Sequence, residues 1–210
     1  MKPLKQFGYT KERESLISTT YKTLPKDKSN SYGFTLIELL VTLVVAVVLL
    51  TIGVPSFNEF LKKNRLATTT NQFVTTLNLA RSEAITRGIR ITVCKSSDGA
   101  TCVTTGSWDQ GWIVFTDENN TTPPAFSPAA PVPETLLNVT SALNADMVLT
   151  GNANVANYIS YIGSGQSQLT TGSFQAGTVS LCDDRTGNFG SNIVLNRTGR
   201  TSLNKGIACP

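Results

Sequence analysis

Three hydrophobic patterns follow one another along the chain. From Phe34 to Val54 the residues read FTLIELLVTLVVAVVLLTIGV, an unbroken apolar run whose single charge is Glu38. At 1.5 Å of rise per residue this run makes about 31 Å of helix, which matches a hydrocarbon core about 30 Å thick. Beyond Pro55 the apolar positions thin out and recur as Phe73, Leu77, Ala80 and Ala84, one face of a helix. Gly88 stands where that pattern stops, just after Arg87, as a helix C-cap and its last-turn cation would. The spacing predicts one helix from about Phe34 to Arg87, bent near Pro55. Its first part (34–55) is lipid-embedded, and its second (56–88) is an amphipathic stem.

After Gly88 the period shortens. Apolar or alternating runs occur at Ile89–Lys95, Trp112–Thr116, Glu134–Val139, Met147–Thr150, Tyr158–Ile162, Thr178–Cys182, Ile193–Arg197 and Thr201–Leu203. Each is bounded by Gly, Asn, Asp or Ser turn signals. Eight short strands in residues 89–210 predict an antiparallel sheet pair or sandwich packed on the stem, an α+β chain. Residues 120–133 (NTTPPAFSPAAPVP) carry five prolines and are expected to form a loop, because proline cannot donate to a ladder.

A cleaved secretory signal is the rival reading of the apolar run. Its core is usually about 7–15 residues and precedes a small-residue cut site, which neither Gly53 nor Pro55-Ser56 supplies. Glu38 is the odd residue, since a lone carboxylate among lipid tails costs a few kcal/mol. Either it reaches the headgroups from its place near the start of the run, or a cation meets it. The run has no Lys or Arg, but a cut just before Phe34 would create an α-amino group.

Composition narrows the chemistry. The chain of 210 residues contains no histidine, which removes His-based triads, proton shuttles and His-bearing metal sites. Ser202-Leu203-Asn204-Lys205 fits Ser-x-x-Lys, but its companion motifs are missing and no helix is expected there. Asp183 and Asp184 are adjacent and would face opposite sides of a strand, a poor acid–base pair. No catalytic grouping and no cofactor or metal site emerges. The net charge of +4 is unevenly placed: residues 1–33 hold seven Lys/Arg and three Asp/Glu, and the remaining 177 hold eleven of each. A polar, basic segment preceding a span suits the cytoplasmic side of a membrane.

Ser31-Tyr32-Gly33 followed by Phe34-Thr35-Leu36-Ile37-Glu38 resembles the class III signal of type IV pilins and type II secretion pseudopilins. The resemblance implies that a prepilin peptidase removes residues 1–33, cutting after Gly33, and N-methylates Phe34. Glu38 then falls at the fifth place of the mature chain, where the family's assembly glutamate lies, and compensates the amine of a neighbouring Phe34. Pro55 matches the helix-kinking proline of such stems. Leu79-Ala80-Arg81-Ser82-Glu83-Ala84 and the Gly111–Asp117 stretch look like the GspH/FimT branch. That branch implies a pilin-like fold, an inner-membrane anchor, a periplasmic head at 89–210, and other pilins or pseudopilins as partners. The implied role is a minor pilin of the type IV pilus or pseudopilin H of a type II secretion system.

The head carries two further signals. Its four cysteines, Cys94, Cys102, Cys182 and Cys209, allow three pairings. Proximity favours Cys94–Cys102, hence Cys182–Cys209, and a periplasmic head would oxidise them. Metal binding competes poorly, given the wide spacings and the missing histidines. Charge is also segregated. From Ile91 to Asp184 one base, Lys95, stands against eight acids, whereas Arg185, Arg197, Arg200 and Lys205 follow with no acid. Such a basic tail either pairs with the acidic body or a neighbouring subunit, or binds phosphate backbone. FimT-type minor pilins bind DNA through a C-terminal Gly-Arg-x-Arg. The corresponding stretch here, Gly199-Arg200-Thr201-Ser202, lacks the second arginine, and Arg197 lies three residues upstream. The candidate contacts to double-stranded DNA are therefore Arg197, Gly199, Arg200 and Lys205.

Overall fold

The computed structural model describes residues 33–129 and 132–209. The expected leader lies outside the described residues except for its last residue, Gly33. One helix, α1 (Leu36–Arg87), precedes eight strands. Thr35 caps it: the Glu38 N–H donates to Thr35 Oγ1 at 3.3 Å and the Leu39 N–H to the Thr35 carbonyl at 3.1 Å. Thr35-x-x-Glu38 has the spacing of a capping box. The helix continues through Pro55, whose ring nitrogen has no proton for the Thr51 carbonyl. It stops where Gly88 turns to φ +70° and donates its N–H to the Ala84 carbonyl at 2.9 Å. Glycine enters that left-handed region without a Cβ penalty.

The chain falls into two compact units divided between Val47 and Val48. Of the first, the described part is the start of α1, whose leucines and valines are all exposed. The second holds the rest of α1 and two four-stranded antiparallel sheets. One sheet has the order β3-β2-β1-β5, built from β1 (Ile91–Lys95), β2 (Trp112–Thr116), β3 (Leu136–Thr140) and β5 (Tyr158–Tyr161). The other has the order β4-β6-β7-β8, built from β4 (Met147–Gly151), β6 (Gly177–Asp183), β7 (Gly187–Leu195) and β8 (Thr201–Cys209).

The last two strands differ from the expected Ile193–Arg197 and Thr201–Leu203. Strand β7 begins earlier, because Gly187 and Gly190 lie inside a strand with register irregularities and do not break it. A Cβ at Gly190 would lie 2.6 Å from Cys209 Sγ, so the glycine leaves room for β8 to cross there. Strand β8 runs six residues longer, to Cys209. As an edge strand it is exposed along most of its length, so it shows no apolar alternation.

The predicted stem face is the centre of the core. Phe73, Leu77, Ala80 and Ala84 are fully or almost fully buried. Phe73 meets Trp108 and Trp112 edge-on, with ring centroids 5.3 and 5.1 Å apart, an arrangement aromatic quadrupoles favour. The indole N–H groups are satisfied: Trp108 donates to the Val155 carbonyl and Trp112 to Thr76 Oγ1. Strand β6 buries alternate residues, as a sheet with one solvated face should. Strands β1 and β2 are buried on both faces. On their outer side Cys94, Ile113 and Phe115 form a second small core, and Phe126 from the proline-rich segment stands edge-on to Phe115. The expected loop at 120–133 is thus also a cover, and it explains why WIVFT reads as a continuous apolar run.

Candidate functional site

The N-terminal motif is laid out before the helix. Gly33, Phe34 and Thr35 are non-helical, Phe34 is 79% exposed, and among the described residues nothing beyond the chain neighbour lies within 4 Å of where a Gly33 side chain would begin. Glu38 sits exposed in the first turn, where the positive end of the helix dipole favours a carboxylate. The other polar groups of the apolar run are internally satisfied: Thr42 Oγ1 donates to the Leu39 carbonyl and Thr51 Oγ1 to the Val48 carbonyl. Glu38 is the one charged group of the run, and its carboxylate has no hydrogen-bond or ion-pair partner among the described residues.

Further along α1, ion pairs fasten the stem to the β4-β6-β7-β8 sheet. Arg185 is buried and donates to Asp183, with Nη2 to Oδ2 at 2.6 Å, and its Nη1 lies 3.1 Å from Glu59 Oε2. Its guanidinium also stacks over the Phe189 ring at 4.3 Å. Hydrogen bonds to Asp183 raise its pKa further above an already high value. Lys62 pairs with Asp184 at 2.7 Å and Arg65 with Asp146 at 3.6 Å. Of the two readings of the basic tail, Arg185 takes the one in which a base pairs with the acidic body: it is the centre of a buried pin. The adjacent Asp183 and Asp184 do face apart, one to Arg185 and one to Lys62.

The candidate DNA contacts separate into two places. Arg197, Gly199 and Arg200 lie in the turn between β7 and β8, closed by the Asn196 N–H to the Arg200 carbonyl at 3.0 Å and the Gly199 N–H to the Asn196 carbonyl at 2.9 Å. Asn196 Oδ1 accepts from the backbone of Thr198 and of Arg200, which holds the turn from inside. Arg197 and Arg200 are exposed, and Arg197 lies over the Phe174 ring at 4.7 Å. Lys205 is far along β8, opposite Ser191.

Arg81 ties this turn to the stem, a role the sequence reading did not give it. Its Nε donates to the Gly165 carbonyl at 2.8 Å and Nη2 to the Thr198 carbonyl at 3.3 Å. Gly199, at φ +77°, passes so close to the Gly165 carbonyl that a Cβ there would overlap it. The signal was available, since Arg81 is the one cation set among the buried positions Leu77, Ala80 and Ala84.

The disulfides join Cys94 to Cys102 and Cys182 to Cys209. The first closes a loop that Lys95 also holds: Lys95 is buried and its Nζ donates to the Gly106 carbonyl at 2.7 Å. Burial draws its ammonium below the usual lysine range. Among the described residues no cluster of three or more His, Cys, Asp or Glu could hold a metal.

Two family models match the sequence. Residues 69–199 match the model described as type II transport protein GspH, and residues 28–54 match the prokaryotic N-terminal methylation motif. No curated protein matches. Among solved structures, the type IV minor pilin FimU of Pseudomonas aeruginosa aligns at a TM-score of 0.48 and 16% identity, over 70% of this chain and 93% of that one. The minor pseudopilin EpsH of the type 2 secretion system of Vibrio cholerae aligns at 0.45 and 13% identity, over 67% and 97%.

Proposed function

The chain belongs to the GspH family and carries its methylation motif at the head of a long apolar helix, and from that premise we propose that it is a minor pilin incorporated near the tip of a type IV pilus. Its precursor is cut after Gly33, Phe34 is N-methylated, and residues 34–55 hold the chain in the inner membrane with the head in the periplasm. The work it does is assembly. In the fibre the apolar stem packs with other stems, and Glu38 meets the positive nitrogen of a neighbouring copy's or partner pilin's first residue. An unpaired carboxylate in such a bundle is costly, so this pairing sets subunit register.

The observation that carries this reading is that Glu38 is the one charged residue in an apolar run whose large side chains are exposed, and it has no ion-pair partner among the described residues. Glu38→Ala tests it. The variant should be processed normally and then be missing from sheared pili; normal incorporation would contradict the register role.

The β7–β8 turn supports a second activity, capture of double-stranded DNA. Arg197 and Arg200 are exposed and have no carboxylate partner among the described residues, and phosphate contacts of this kind weaken steeply with salt. Retardation of duplex DNA that disappears in Arg200→Gln supports it; unchanged retardation in that variant contradicts it. The description of the matching family favours a secretion pseudopilin as the alternative assembly. Loss of the gene distinguishes the systems, through fewer pili and less twitching in one case and exoproteins held in the periplasm in the other.

A further inference from the structure

The helix surface suited to lipid extends past Val54. Phe57 and Phe60 expose 60% and 61% of their surface, and the next exposed large apolar side chain on α1 is Ile85. Lys62, Lys63 and Arg65 follow at once, at the level where cations meet headgroups. Lys62 and Arg65 are already committed, to Asp184 and Asp146. Lys63 has no carboxylate partner among the described residues, and neither does Lys205.

These two lysines line one cleft of about 240 Å³ between α1 and the β7–β8 hairpin. Arg185 also lines it, its charge neutralised by Asp183 and Glu59, and Asn188 and Ser191 add neutral hydrogen-bonding groups. The cleft thus presents two uncompensated ammonium groups in a concave setting, the arrangement a phosphate diester needs. Its height is set by the helix. Lys63 lies about 13 Å of helical rise beyond Val54 but only about 5 Å beyond Phe60, and a lysine stem reaches back over the shorter distance.

We propose that this cleft holds the phosphate of an anionic phospholipid headgroup, clamped between Lys63 and Lys205. Position decides for lipid: the exposed phenylalanines one and two turns earlier on the same helix fit an acyl surface. The bound headgroup fixes how the head stands on the membrane before the subunit enters a fibre. The proposal rests on the membrane span inferred above.

The test uses the full chain in detergent micelles doped with equal amounts of phosphatidylglycerol and phosphatidylcholine, with retained lipids counted by native mass spectrometry. The wild-type chain should retain phosphatidylglycerol about tenfold over phosphatidylcholine. Lys63→Gln with Lys205→Gln should abolish the preference, the corresponding Lys→Arg pair should keep it, and Lys62→Gln with Arg65→Gln should leave it within about twofold. Equal retention of the two lipids overturns the proposal, as does a preference that survives the first pair or falls equally with the third. Low-millimolar inorganic phosphate should not displace the lipid; complete displacement would make the cleft a free-anion site and overturn the lipid assignment. A chain released from membranes by alkaline carbonate contradicts the span itself, whereas one that stays but shows no preference contradicts the cleft alone.

Discussion

The two ends of α1 obey opposite rules. Up to Phe60 its large apolar side chains are about half or more exposed, and nothing in the described chain covers them. From Leu66 onward the same helix buries Phe73, Leu77, Ala80 and Ala84, with Thr69, Thr70 and Thr76 among them, and leaves Asn71, Gln72, Asn78 and Arg87 exposed. Burying an apolar side chain stabilises by about 1.5–3 kcal/mol, so the second part is satisfied by its own head while the first must find lipid or other stems. One continuous helix therefore runs from an exposed apolar surface into the buried core of the β-rich unit.

The sharpest way to break this contrast is to truncate a side chain in each part. Phe73→Ala should cost the head about 4 kcal/mol, since it removes the ring between two tryptophans. Leu43→Ala should leave the urea midpoint of the head unchanged. Equal effects would mean that the head depends on the apolar run. Next in size is the pin between stem and sheet. Arg185→Met strands Asp183, whose side chain is only 1% exposed, and should cost about 3 kcal/mol by denaturant unfolding. Adding Asp183→Asn should restore part of that loss.

The smallest effect is expected at the solvated end of the same junction. The Lys62 hydrogen bond holds the Asp184 carboxyl below the ordinary carboxylate range. Because the folded-state pKa is depressed, the stabilisation is present above the unfolded value of about 3.9 and fades as pH falls through the folded one. Lys62→Gln should move the Asp184 titration, followed by NMR, back toward the ordinary range. Stability at neutral pH should not change measurably, since the pair is exposed.

How much was readable beforehand follows the same division. The long apolar helix was legible from its composition, and the stem face and most strands because burial on one side imposes a period, as at Phe73, Leu77, Ala80 and Ala84. Strand β8 was missed beyond Leu203 because an edge strand exposed along most of its length imposes none. The N-terminal motif was legible as a contiguous string. For Arg185 the charge count left pairing and phosphate binding both open, because its partners, Glu59 on the helix and Phe189 on β7, are brought to it only by the fold. Arg81 stood out as a lone cation among buried stem positions, but its acceptors are backbone carbonyls of Gly165 and Thr198, which no residue type announces.

The account turns on a new positive nitrogen at the start of the apolar run. Intact-mass measurement of the chain isolated from its native membrane tests this most directly. A polypeptide that begins at Phe34 and carries one added methyl group is the predicted result. A chain that still begins at Met1, or one cut at any other bond, would contradict it.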